Sequence, residues 1–321
     1  MIRLSAITPS GHAQLGNYLG AIRRWAAEGT EQDVYFISDL HAMTTSHNPA
    51  KLRSLAREQL ALLIAAGVDP RSVCVQSDLV RELGALTWVL ECTCTYGEAA
   101  RMIQFKEKSA GRDSVRLSLL TYPVLMAADI LLQGANEVPV GDDQAQHVEL
   151  ARALAKRFNG TYGEVFVMPR GTVPPTAARV RDLADPSRKM AKSTMDAAGT
   201  VFVLDPPDLI QRKIRRAVTD TLNRLVHDPD EQPGVANLLE IIAACTGKSP
   251  DEVAAGLGSY AELKEVAADA VVEELREVRE RTLALLDDTA ELDRVRAEGA
   301  ERARGRAQHR LDAALRMTGL G

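Results

Sequence analysis

The sequence predicts an α/β fold in two parts, a parallel sheet covered by helices over residues 1–184 and an all-helical part over 185–321. Three observations carry this. Short apolar runs alternate with amphipathic helical patterns through the first half, which is the signature of a parallel sheet with helices on both faces. A small-residue stretch, Thr8-Pro9-Ser10-Gly11-His12-Ala13-Gln14-Leu15-Gly16-Asn17-Tyr18, stands between the first apolar run and the first helical pattern. After about Asp185 the texture changes to almost continuous 3.6-residue periodicity.

Taken in order, Ile2 to Ile7 reads as the first strand, and Leu19 to Ala27 as an amphipathic helix. Val34 to Ser38 is a second strand ending in Asp39-Leu40-His41. Pro49 to Ala66 is a helix stopped by Gly67, and Val73 to Gln76 a third strand. Helices follow over Glu82–Thr95 and Val115–Leu132, the latter expected to kink or break at Pro123. Val138 to Val140 is a short strand and Gln144 to Phe158 a helix. Ligands bind such sheets beyond the carboxyl ends of the strands. The first loop, Asp39 to His41, and Gly141 to Asp143 are therefore expected to converge on one crevice. In the second half Thr200 to Leu204 reads as a short extended piece. Asp205-Pro206 and Ser249-Pro250 read as helix starts, with Glu252 completing a capping box. Long helices are expected over Ala261–Asp287 and Ala290–Met317.

Composition narrows the function classes. With 45% hydrophobic and only 4% aromatic residues, the core is expected to be aliphatic and largely helical. No apolar run reaches the ~18 residues of a membrane helix, and no leader pattern precedes the first loop. Cys74, Cys92, Cys94 and Cys245 have no zinc spacing and read as buried free thiols in a reducing cytoplasm. A net charge of −5 argues against a general nucleic-acid coat but leaves room for a local basic patch.

The first loop suits phosphate, because glycine permits close approach and the following helix offers free N–H groups. It is neither a dinucleotide fingerprint nor a P-loop: Gly11 and Gly16 have the P-loop spacing, but Asn17 and Tyr18 stand where Lys and Ser or Thr belong. Read alone, it is a possible phosphate loop or a tight strand-to-helix turn. The second landmark is Lys189-Met190-Ala191-Lys192-Ser193, preceded by the turn signal Asp185-Pro186-Ser187-Arg188. Alone it reads as a solvated lysine loop; with the N-terminal loop it makes a pair that can meet polyphosphate.

That pair resembles the HIGH-type and KMSKS-type motifs of class I aminoacyl-tRNA synthetases. Pro9-Ser10-Gly11 with Leu15 to Ala21, Arg101 to Gly111, Leu120 to Leu132, Pro139 to Leu150 and Pro233 to Leu239 are similar to the bacterial tryptophanyl-tRNA synthetases. The similarity spans essentially the whole chain. It implies a Rossmann-like catalytic domain, residues 1–184, and a region 185–321 with the KMSKS-type loop and a helical anticodon-binding domain. It implies tryptophan, ATP with Mg2+ and tRNA(Trp) as partners, a homodimer, and no membrane.

What the resemblance implies for residues is specific. Gly16, Asn17, Lys189, Lys192 and Ser193 would be catalytic. Thr8, Pro9, Ser10, Gly16, Asn17, Gly141, Asp142, Asp143, Val180, Lys189, Met190, Ala191, Lys192 and Ser193 would bind ATP, with Lys108 a further phosphate contact. Asp129, His41, Met126, Val138, Val140 and Gln144 would hold tryptophan, and no residue is assigned to a metal. Asp129 carries specificity: it lies in an apolar run, where a carboxylate is costly without a partner, and an indole N–H needs an acceptor. His12 reads as an exposed loop residue and His147 as structural. Arg212, Lys213, Arg215, Arg216, Arg294, Arg296, Arg302, Arg304 and Arg306 are candidate tRNA phosphate contacts, and Glu82 to Leu132 a candidate dimer face. Gln14 in place of the first HIGH histidine, Ala6, Thr8 and Ala191 depart from the family pattern and suggest a divergent or auxiliary copy.

Overall fold

The structure, a computed structural model, describes residues 1–173, 180–191 and 197–321. Strands β1 (Leu4–Ile7), β2 (Val34–Ile37) and β3 (Val73–Val75) form one parallel ladder, with Leu4 opposite Val34 and Tyr35 opposite Val73. Strands β4 (Glu137–Pro139) and β5 (Arg170–Thr172) form a second, which a parallel bridge between Arg3 and Glu137 joins to the first. The order is thus 3-2-1-4-5, reversing between β1 and β4. β5 has no signal in the sequence; it is short and polar.

The apolar alternation of β2 fixes what covers each face. Tyr35 and Ile37 belong to one core, which continues into the helical half; Val34 and Phe36 belong to the other. The first core is closed by α4 (Pro49–Ala65), α10 (Pro207–Arg215), α11 (Pro233–Thr246) and α13 (Tyr260–Asp287). The second holds α5 (Val80–Glu91), α8 (Ser118–Gln133) and α9 (Asp142–Tyr162). The expected break at Pro123 does not occur. α8 runs on through it, because burial along Val124 to Gln133 offsets the one backbone bond that proline removes.

Two helix starts in the second half resolve differently. Ser249 caps α12 (Pro250–Ala255) in a capping box with Glu252, as the spacing predicts. Asp205 does not cap α10, whose cap is Pro206. The Asp205 carboxylate accepts from the Phe202 amide and pairs at 2.6 Å with Lys213, which also donates to the Thr200 carbonyl. Lys213 is thereby buried and withdrawn from the candidate tRNA contacts. The 200–204 segment makes one antiparallel bridge, Gln14 to Phe202, rather than a strand. Of the cysteines only Cys74 is buried, where desolvation pushes its thiol pKa up; Cys92 is exposed.

The last helix, α14 (Thr289–Thr318), returns to the sheet rather than staying in the helical half. Ala303, Ala307, Leu311 and Ala314 complete the second core, and Gln133 donates to the Ala303 carbonyl. Most of its arginines are engaged within the molecule: Arg294 pairs with Glu291 and Glu298, Arg296 with Asp78, Arg304 with Glu82, and Arg306 donates to the Gln32 carbonyl. Gly299 permits the contact, since a Cβ there would lie 1.9 Å from the Val73 carbonyl oxygen of β3. Gly299→Ala is therefore expected to destabilise the fold by about 1–3 kcal/mol through overpacking. Ala's better helix propensity, ~0.5–1 kcal/mol, works against this but is the smaller effect. A lowered midpoint in denaturant unfolding checks it; an unchanged or raised midpoint would show that α14 shifts freely.

Candidate active site

The carboxyl ends of β1, β2, β3 and β4 deliver Thr8, Ser38, Gln76 and Val140 to the same edge of the sheet. Beyond that edge lies a cavity of about 730 Å³. Thr8, His41 and Gly141 all line it, so the three expected loops do converge.

The first loop leads into a helix in three pieces: α1 (Leu15–Asn17), a π-helical turn (Tyr18–Ile22) and α2 (Arg23–Glu28). Gln14 organises it. Its amide oxygen accepts from the Gly16 N–H in a short contact, and its amide nitrogen donates 3.0 Å to the Met190 carbonyl. The two signature segments are thus stitched together by one buried side chain. The stitching continues where Leu15 N–H donates to the Val201 carbonyl and Val203 N–H to the Ala13 carbonyl. Asn17 Oδ1 accepts from the Gln14 backbone N–H, a tie that orients the side chain. The protein's own packing is tight at Gly16: a Cβ would sit 2.9 Å from Gln14 Oε1 and 3.2 Å from Val180 Cβ, so one or both would have to shift. Thr8, Ser10, Gly16, Asn17 and Val180 line the cavity. Pro9 is buried beside it.

A second constellation surrounds Asp129, which is 5% exposed on α8. Gln76 Nε2 donates to both its oxygens at 2.8 Å, and His41 Nε2 lies 3.0 Å from Oδ2. A carboxylate can only accept, so His41 carries its proton on Nε2. Gln76 Oε1 in turn accepts from the Leu40 and His41 backbone N–H groups at the start of α3 (Asp39–Ala42). Asp39 accepts from the Ser77 N–H, while burial raises its carboxyl pKa above the ordinary value. Met126, Val138 and Val140 line the cavity with Asp129, an apolar wall beside one oriented acceptor.

The remaining residues fall into place around these. Lys189 lines the cavity on a turn closed by the Arg181–Lys189 bridge. Asn237, from the Pro233 to Leu239 block, holds that turn by bonding both the Arg181 N–H and its carbonyl. Met190 is buried in the core with only its carbonyl directed at Gln14, and the Ala191 carbonyl accepts from Thr200. Lys108, on α7 (Ile103–Ser109), lines the cavity over the Tyr122 ring at 5.7 Å and donates to Gln104. Gln144 lines the cavity and bonds His147 Nδ1; His147 is buried and bonds Tyr122, consistent with a structural part. Gly141 is the cap residue of α9, which begins at Asp142 and Asp143. Lys192 and Ser193 lie outside the described residues. His12 is exposed but paired with Glu58 at 2.7 Å.

A model of the class I tRNA synthetases for tryptophan and tyrosine matches residues 1–279. The chain is 54% identical to tryptophan–tRNA ligase 1 of Streptomyces coelicolor, over 98% of this chain and 96% of that protein. The chain belongs to the tryptophan–tRNA ligases. Among solved structures of class I synthetases, the tryptophanyl-tRNA synthetase of Mycoplasma pneumoniae is similar at 31% identity. Its TM-score is 0.88, covering 100% of this chain and 98% of that one. The Campylobacter jejuni synthetase, solved with ADP and tryptophan, matches at 31% identity and TM-score 0.86, over the full length of both.

Within a synthetase of this class, Gln76 is the residue that sequence reading missed. The signal was there: a polar residue at the carboxyl end of a buried parallel strand, Val73-Cys74-Val75-Gln76, is placed to meet a ligand or orient what does. Tyr122 and Gln104, which link Lys108 to His147, were also missed, since a polar network across three helices leaves no spacing pattern. Among the described residues no group of three His, Cys, Asp or Glu side chains is set to hold a metal ion. The cationic, amide-rich loop region is suited to phosphate oxygens instead.

Proposed function

We propose that the protein activates L-tryptophan with ATP and transfers it to tRNA(Trp) in the cytoplasm. The observation that carries the reading is Asp129, a buried carboxylate oriented by Gln76 and His41 at an apolar wall, an acceptor for an indole N–H. A phenol, which both donates and accepts, would call for a different pair. The tryptophan carboxylate oxygen attacks the α-phosphorus of ATP; the bond to the bridging oxygen breaks and pyrophosphate leaves, with no proton to move. The terminal ribose hydroxyl of tRNA then attacks the acyl carbon, expelling AMP and losing its proton.

Catalysis on this reading is positioning and charge stabilisation. Gly16 and Asn17, with Thr8, Ser10, Gly141 and Val180, would hold the nucleotide; Lys189, Lys192, Ser193 and Lys108 would meet the charge that grows on pyrophosphate. Mg2+ would arrive on the phosphates and neutralise part of their charge. The helical half would receive the tRNA, with exposed Arg212 and Arg215 on α10 and Arg216 at its end the remaining candidates there. A homodimer fits the exposed apolar residues Trp88, Tyr96 and Leu117, which a solitary chain would leave in water at 65–77% exposure. Sedimentation should give twice the chain mass; the mass of one chain would remove the dimer. ATP–pyrophosphate exchange across the amino acids tests the reaction: exchange with tryptophan is expected, and exchange with tyrosine alone, or with none, would overturn it.

A further inference from the structure

The turn that carries Gln76 is held from behind by the last helix. This 3-10 turn, Gln76–Leu79, faces the cavity on one side through Gln76 and Asp129. On its other side Arg296 of α14 grips Asp78 with two bonds, Nε to Oδ2 at 2.8 Å and Nη2 to Oδ1 at 2.7 Å. Arg304, two turns on, donates to the Asp78 carbonyl at 2.6 Å, and its Nε lies 3.3 Å from Glu82. Between them Gly299 packs directly on the Val73 carbonyl, at the strand that feeds the turn. A planar guanidinium bonded twice to a carboxylate fixes direction as well as distance. The turn therefore has little freedom to rotate, and neither has the Gln76 amide that orients Asp129.

We infer that Arg296, some 167 residues from Asp129 in sequence and outside the cavity, is a positioning residue for tryptophan recognition, acting through Asp78 and Gln76. Gln76 takes its backbone position from this turn, and its amide reaches from there to its partners. It spends its oxygen on the Leu40 and His41 N–H groups and its nitrogen on Asp129. A loosened turn shifts both ends of this arrangement: the acceptor for the indole N–H and the start of α3, which carries His41. The nucleotide loop hangs mainly on Gln14, Met190 and Val201 instead; it touches this arrangement through Thr8 Oγ1, 2.9 Å from Ser38 Oγ at the cap of α3. The effect of loosening thus falls chiefly on the amino acid.

The inference rests on the tryptophan reading, which exchange by the unaltered protein tests by itself. An inactive parent fails that reading; an active parent with unmoved variants fails only the inference. In ATP–pyrophosphate exchange Arg296→Met is expected to raise KM for tryptophan about five- to tenfold, the scale of one hydrogen-bonded charge pair. KM for ATP should stay within about twofold, since the nucleotide loop shares no bond with the turn. Preference for tryptophan over benzothienylalanine, which has sulfur in place of the indole N–H, should fall by the same factor. Arg296→Lys should restore part of the loss, and in a Gln76→Met background Arg296→Met should add little, as residues on one route are not additive. Gln308→Ala, on an exposed position of the same helix where the side chain bonds Asp312, should change nothing. Asp78→Asn carries the same measurement if Arg296→Met does not fold. Equal rises in both KM values, an unchanged preference against the sulfur analogue, or full additivity with Gln76→Met would each overturn the inference.

Discussion

Asp129→Asn is expected to lower kcat/KM for tryptophan by about 10²–10⁴, the range over which a site built to bond one polar group rejects its mismatch. The carboxylate accepts from Gln76 on both oxygens and from His41 on one. An amide cannot reproduce this. Gln76 Nε2 donates to both oxygens, so whichever one the NH2 group replaces, a buried donor faces a donor, even if His41 takes its other tautomer. KM for ATP should move by less than about twofold, because the nucleotide residues share no partner with Asp129. Exchange kinetics at varied tryptophan check the result; an unchanged kcat/KM would place the indole elsewhere in the cavity.

Lys189→Met is expected to act on the other substrate. Removing one positioned charge from a developing oxyanion costs about 10²–10³ in rate. The loss should appear in kcat for adenylate formation, with tryptophan binding retained. The lysine stands on a turn held by Asn237 and by the Met190–Gln14 bond, so its stem is positioned before substrate arrives. Single-turnover formation of the adenylate separates the two effects; an unchanged rate would leave Lys189 a solvated loop residue.

Much of this was legible in the sequence because it depends on local rules. Strand β2 is four buried residues with alternate side chains on opposite cores, and Ser249-Pro250 with Glu252 is a cap that needs no tertiary information. Asp129 is a carboxylate in an apolar run, but alone it reads as a solvent-facing residue of an amphipathic helix; the family resemblance is what marks it as a tryptophan contact. What was not legible depends on partners distant in the chain. Asp205 looks like a cap until Lys213 is seen against it. The arginines of α14 look like a solvated or tRNA-facing row until Asp78, Glu82 and Gln32 are found opposite them. β5 is too short to show a period, and its polar residues Arg170 and Thr172 gain strand geometry only from β4.

The return of α14 to the sheet also bears on how the molecule is made. Ala303, Ala307, Leu311 and Ala314 cover apolar surface laid down by Leu83, Leu86 and Leu131, side chains that leave the ribosome some 170–230 residues earlier. The N-terminal half therefore emerges with a seam open along its second core, and stays so through the synthesis of everything between. Domains usually fold in order as they emerge. Here the N-terminal half cannot complete its second core until the last helix has been made.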